Sequence, residues 1–172
     1  LRYGYCATPG GAWTLQTADA APSGEFASLA VDPFSNEPRV THMTSSLGWQ
    51  VYSSRRVAGI WTNQALSGSY SSGCPTATIA EPGGALDAAY QYYDYGNGFT
   101  AYPFLQRLVG NTWQWELVQG IYGYNIIGAA LSGAFSTSTG TQHYAFEGLL
   151  PNSCCGTRLV HAERTAPNQE TF

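Results

Sequence analysis

The sequence predicts an all-β protein built from repeats of roughly 50 residues, each folding as a four-stranded antiparallel unit. Three observations carry this. A Tyr-like position is followed nine to eleven residues later by a Trp-like one: Tyr3 then Trp13, Tyr52 then Trp61, Tyr102 then Trp113, and His161 then Phe172. The Trp-like positions lie 48, 52 and 59 residues apart, too long a period for any single helix or strand. Gly, Pro, Ser and Thr interrupt every window that could hold an amphipathic helix, so strands and turns remain.

Taken in chain order, each aromatic pair reads as a hairpin. Leu1-Arg2-Tyr3, Gln50-Val51-Tyr52, Thr100-Ala101-Tyr102 and Leu159-Val160-His161 open β-prone runs. Turns at Pro9-Gly10-Gly11, Ala58-Gly59 and Gly110-Asn111 then lead to the Trp. Small, apolar runs follow at Ser28 to Asp32, Ala77 to Glu81 and Ala129 to Ser132, after Gly/Ser/Pro-rich loops. A further turn, at Asp32-Pro33, Glu81-Pro82-Gly83-Gly84 or Ser138-Thr139-Gly140, opens the strands Pro38 to Thr44, Leu86 to Tyr93 and Thr141 to Glu147. Each repeat thus has a small-residue strand A, then B, C and D, with the Trp opening D.

Small residues in one strand and a Trp in another are what a β-propeller blade requires, because the inner strand is crowded and large aromatics pack between blades. In this pattern the chain resembles the β-propeller repeat proteins, a superfamily that includes WD-repeat-like scaffolds, sialidase-type hydrolases and propeller lectins. The resemblance spans nearly the whole chain. It lacks a Gly-His to Trp-Asp signature and a Ser-x-Asp-x-Gly-x-x-Trp box, so it points to an architecture and selects no family function. An antiparallel β-sandwich with the aromatics in one core is the alternative fold. The register divides the chain into C and D strands of a preceding blade (1–19), two blades (20–66 and 67–119) and a partial A-B-C blade (120–172). Three blades' worth of strands cannot close a ring of the usual 4 to 8 blades. The expectation is therefore a piece of a larger propeller, or copies assembling edge to edge to cover open strands.

Composition narrows the partners. Charged residues make up 10% of the chain, the seven basic residues are all Arg, and the net charge is -4. An acidic surface without Lys argues against nucleic acid, whose binding runs on clustered basic side chains. No apolar run approaches a transmembrane helix in length. Low charge with abundant Ser, Thr, Gly, Tyr and Gln suits an extracellular, cell-surface or periplasmic protein. Cys6, Cys74, Cys154 and Cys155 contain no C-x-x-C pair, which disfavours a zinc ribbon or thioredoxin-like site. Cys74, in the loop before an A strand, and Cys154 or Cys155, in a B-C loop, would meet on one face of a propeller. A disulfide there would clamp neighbouring blades, with free thiols or a Cys154–Cys155 bridge as the alternatives.

Catalytic chemistry finds little support. His42 and His143 sit in B strands, and His161 takes the place of the repeat Tyr, which favours packing. There is no Gly-x-Ser-x-Gly elbow, no His-x-His and no His-x-x-x-His, so neither a nucleophile nor a metal site is expected. The segment Asp32 to Glu37 is only loosely calcium-like and reads as a turn. Asp94 and Glu147 occupy equivalent places at the ends of B strands; paired acids serve glycosidases, but repetition alone explains them. Arg39, Arg55, Arg56, Arg107, Arg158 and Arg164 fall on B and C strands or their ends, away from the inner strands where a sialidase-like clamp would sit.

Surface recognition remains. Tyr93, Asp94, Tyr95 and Asn97 crowd one B-C loop, and Tyr122, Tyr124 and Asn125 a D-A loop, both expected on one face. Tyr rings stack on sugars or make low-entropy protein contacts, while Asp and Asn bind hydroxyls. The expected function is a non-catalytic, cofactor-free binding or assembly module with protein partners. Carbohydrate binding is the second expectation and a propeller glycoside hydrolase fragment the third. The repeat aromatics Trp13, Trp61, Trp113, Tyr3, Tyr52 and Tyr102 are assigned to packing.

Overall fold

The computed structural model describes residues 1–20, 24–32, 35–44, 49–67, 72–81, 85–94, 100–109, 112–117, 131–149, 157–166 and 169–171. Among the described residues the chain is all-β, with no helix and with antiparallel pairing throughout. Sheet 1 pairs β1 (Arg2–Cys6) with β2 (Trp13–Thr17). Sheet 2 is a meander of β3 (Glu25–Val31), β4 (Pro38–Thr44), β5 (Gln50–Val57) and β6 (Ile60–Ala65). Sheet 3 repeats the order with β7 (Ser72–Ala80), β8 (Leu86–Asp94), β9 (Thr100–Val109) and β10 (Thr112–Leu117). Sheet 4 comprises β11 (Leu131–Ser136), β12 (Thr141–Leu149), β13 (Thr157–Ala166) and β14 (Gln169–Thr171).

Local chemistry explains the hairpins. Ala58 and Gly59 have φ of 49° and 86° and join Val57 to its partner Ile60, a two-residue turn whose twist matches the flanking strands. Cys74 lies within β7 itself, where the sequence reading places it in a preceding loop. The ladder shifts between Gly73 and Thr76, around Pro75, which has no N–H to donate. The last sheet also differs from the three strands read from the sequence, because β13 pairs onward with the short β14.

Sheets 2, 3 and 4 stack face to face, with β7 packed against both β3 and β11. Strand alternation gives sheet 3 two inward faces. On one, Ala77, Ile79, Ala89 and Leu105 meet Tyr144, Phe146 and Ala162 of sheet 4. Burying a Phe-sized side chain such as Phe146 stabilises by about 1.5–3 kcal/mol. The approach is close: a Cβ at Gly133 would lie 2.5 Å from Ile79 Cδ1, so any side chain here would have to displace Ile79. On the opposite face Ala88, Tyr90 and half-buried Trp113 pack with Val51 and Leu66 of the sheet 2 segment.

Hydrogen bonds complete the sheet 2–sheet 3 contact. Thr78 Oγ1 donates to Ser28 O at 2.9 Å and accepts from Thr41 N at 3.2 Å; Thr41 Oγ1 lies 2.6 Å from it. Thr76 Oγ1 contacts the carbonyls of Phe26 and Thr41. Gln106 Nε2 donates to Leu66 O at 2.8 Å. Small β-branched residues here place a hydroxyl where a neighbouring backbone needs one, which satisfies buried groups that would otherwise cost free energy.

Sheet 1 packs on the other face of sheet 2. The Tyr3 ring meets Trp61 edge-on at 5.2 Å, and Trp61 Nε1 donates to Gln16 Oε1 at 3.1 Å. The Arg56 guanidinium sits 5.5 Å from the Tyr5 ring centroid. Trp61 is half-buried, and Trp13, its repeat counterpart, is 70% exposed.

Candidate functional site

Among the described residues, strand register gathers three constellations of polar and ionisable side chains. The first is a cleft of about 200 Å³ between sheets 2 and 3. Arg39 and Arg55 are directly opposed on β4 and β5 and share the face that looks into it. Ser53, Thr62, Gln64 and the Trp113 indole complete the lining the chemistry needs. Arg39 donates to Asp32 Oδ2 at 3.0 Å. Burial lowers the Arg39 pKa, Asp32 opposes that, and the neighbouring Arg55 charge adds to it. Arg55 has no ion-pair partner among the described residues. The pair therefore presents positive charge and planar donors to the cleft, a geometry suited to an anionic or hydroxyl-rich ligand.

The second constellation joins His42, Ser54 and Asp19. His42 Nε2 lies 2.8 Å from Ser54 Oγ and 3.6 Å from Asp19 Oδ2, and His42 stacks on Tyr52 at 5.9 Å. Both polar contacts meet the same ring nitrogen. A nucleophilic triad needs serine and carboxylate on opposite nitrogens, and both His42 and Ser54 are fully buried. Burial pushes the His42 pKa down and the Asp19 charge partly restores it. The group acts as a neutral core hydrogen-bonding partner.

The third lies on β12 and β13. His143 and Glu163 are direct cross-strand partners, and His161, opposite Ala145, points to the same face. His143 Nδ1 is 3.2 Å from His161 Nε2 and 3.6 Å from Glu163 Oε1, and the imidazoles are stacked at 5.4 Å. Sequence reading missed this group because it searched for His pairs along one strand. The discoverable signal was His161-x-Glu163, a period-2 pair, facing a histidine 18 residues earlier across one hairpin.

Other expected sites resolve differently. The Asp32 to Glu37 segment is a turn: Asp32 Oδ1 accepts from Ser35 N at 3.2 Å, Asp32 N donates to Glu37 O at 2.9 Å, and Oδ2 takes Arg39. Its carboxylate is committed to capping and to the arginine. Tyr93 and Asp94 fall within β8, but their side chains, and all of Tyr95, Asn97, Tyr122, Tyr124 and Asn125, lie outside the described residues. The Glu147 side chain, the Cys74 side chain and residues Cys154 and Cys155 are likewise outside. Cys6 is a free thiol, with Sγ 2.8 Å from Thr8 O. No described helix is long and apolar enough to cross a membrane.

No protein-family model matches the chain, and a search of curated proteins finds no significant relative.

Proposed function

We propose that the chain is a non-catalytic binding and assembly module of a secreted or surface β-propeller protein, engaging protein partners through the uncovered faces of its sheet stack. One observation carries this reading. Trp61 and Trp113 each lie against the preceding sheet, whereas Trp13, at the same repeat position, is 70% exposed beside Leu15, which is 69% exposed. Separately, Leu29 and Val31 are 55% and 50% exposed on the face of sheet 2 turned away from sheet 3. Trp13 and Leu15, alternate residues of β2 on the face of sheet 1 turned away from sheet 2, form an exposed apolar pair, and Trp is among the residues that most often anchor an interaction surface. Face-to-face stacking with β3, β7 and β11 adjacent supports a propeller arrangement over a two-layer sandwich.

Light scattering coupled to size exclusion tests the assembly role. Self-association above the 18.5 kDa chain mass is expected, with reversal in a Trp13→Ser, Leu15→Ser variant whose unfolding midpoint is unchanged. A monomer at every concentration, with no response to that variant, removes the basis of the reading.

The cleft supports a second reading, recognition of an acidic sugar. Arg39 and Arg55 would grip a carboxylate while Trp113 offers a stacking surface. Calorimetry with a free uronic acid decides: saturable binding lost in Arg55→Ala favours it, and no heat in the parent protein ends it.

A further inference from the structure

We infer that His143, His161 and Glu163 form a binding site for a divalent transition-metal ion, with zinc the best fit. Each residue offers one ligand atom, and the three atoms lie within 4.8 Å of one another. Zinc binds imidazole nitrogen and carboxylate oxygen at about 2.0–2.2 Å in tetrahedral geometry, which sets ligand atoms roughly 3.3–3.6 Å apart. The His143 Nδ1 contacts, 3.2 Å to His161 Nε2 and 3.6 Å to Glu163 Oε1, already match that edge length. An ion would replace the weak His–His contact with two coordinate bonds, each imidazole turning from its neighbour toward the ion.

The strand register makes the arrangement specific. Direct pairing of His143 with Glu163 fixes one edge of the triangle, and the diagonal to His161 supplies the third corner. Ala134 pairs with His143 and Ala145 with His161, so each ring has a small neighbour on the same face and room to turn. Arg164 projects from the opposite face, where it donates to Gln142 Oε1 at 3.0 Å, and so brings no cationic charge to the cluster. Two neutral imidazoles and one carboxylate give a site of charge about -1, matched to a divalent ion. Imidazole donors select zinc, copper or nickel over calcium and magnesium, which prefer all-oxygen shells. His143 and Glu163 are half-buried and His161 is exposed, leaving the outer coordination position open to water or to a donor from another molecule.

The test uses the whole chain, stripped of metal by chelator, with Zn²⁺ alone as the calorimetric probe and Co²⁺ alone as the spectroscopic one. One ion per chain is expected, with visible Co²⁺ bands of tetrahedral intensity and no thiolate-to-cobalt charge transfer. His143→Ala and His161→Ala should each weaken binding at least tenfold, since even residues that merely orient a ligand cost 10–100-fold. Glu163→Gln should weaken it while leaving the circular dichroism unchanged, which separates lost ligation from lost folding. Absence of binding in the parent chain overturns the assignment. So does a thiolate charge-transfer band, or binding that survives His143→Ala with His161→Ala, because either puts the ion on the cysteines or elsewhere.

Discussion

The two faces of sheet 3 are covered by unlike chemistry. Toward sheet 4 the contact is hydrocarbon: Ile79, Ala89 and Leu105 against Tyr144 and Phe146, tightened by Gly133. Its polar groups gather at one end, where Glu81 accepts from Arg107 at 2.7 Å and from Gln142, and Gln142 accepts from Tyr144 OH at 2.9 Å. Toward sheet 2 the apolar patch is smaller, the Thr41, Thr76, Thr78 and Ser28 hydroxyls bind across the gap, and a cleft opens beside Trp113. Hydrocarbon contacts gain by excluding space. Hydrogen-bonded contacts fix distance and orientation, and they tolerate a polar opening next to them. The same repeat therefore makes one contact that is closely packed hydrocarbon and one that is hydrogen-bonded and flanked by a polar cleft.

Substitutions can break that contrast. The largest effect is expected for Phe146→Ala, which should lower stability by about 3–5 kcal/mol in urea unfolding, as for other buried Phe truncations. Thr78→Val should cost less, about 1–3 kcal/mol, by stranding the buried Thr41 N–H and the Ser28 carbonyl. Equal costs for the two would mean that the contacts are not different in kind. Gly133→Ala should cost about 1–3 kcal/mol through overpacking on Ile79, and Ile79→Val, which removes the nearest carbon, should recover part of it.

Next in size is a pH effect from the sheet 1–sheet 2 contact. Burial holds the folded His42 pKa below its ordinary 6.5, so on acidification the unfolded chain takes the proton first. His42's contribution is complete above that value and is lost as pH falls from about 6.5 toward the depressed pKa. A melting temperature that drops between pH 7.5 and 5, with a shallower drop in His42→Gln, is the expected result. An identical slope in the variant would assign the effect to other groups. The smallest change is at the β5–β6 tip, away from both contacts. Ala58→Asn should gain up to about 1 kcal/mol, because Asn accepts positive φ better than Ala.

Much of the secondary structure was legible because its causes are local. Pro38 to Thr44 was read from turn residues and alternation alone and matches β4. Ala58-Gly59 signalled its hairpin through the one residue type that takes φ of 86° freely. The misreadings share another origin. β14 has three residues, too few to show a period, and exists through pairing to β13. Cys74 reads as loop because it falls in the Gly/Ser/Pro-rich stretch before the A strand, yet pairing with β8 carries the segment through a ladder shift. The cleft needs Arg55 and Trp113 from different repeats, and the metal-type cluster needs the β12–β13 register. Neither relation has a signature in residue spacing.

By itself the sequence determined an all-β chain, its repeat of aromatic hairpins, and the turns that separate them. Those follow from steric preferences and side-chain alternation acting over a few residues. Tertiary structure alone decided which repeat Trp is covered, with Trp113 packed against sheet 2 and Trp13 open. It also turned two histidines and a glutamate, each unremarkable on its own strand, into one cluster. The physical reason is range: sheet packing joins side chains some fifty residues apart, and cross-strand register sets which of them share a face.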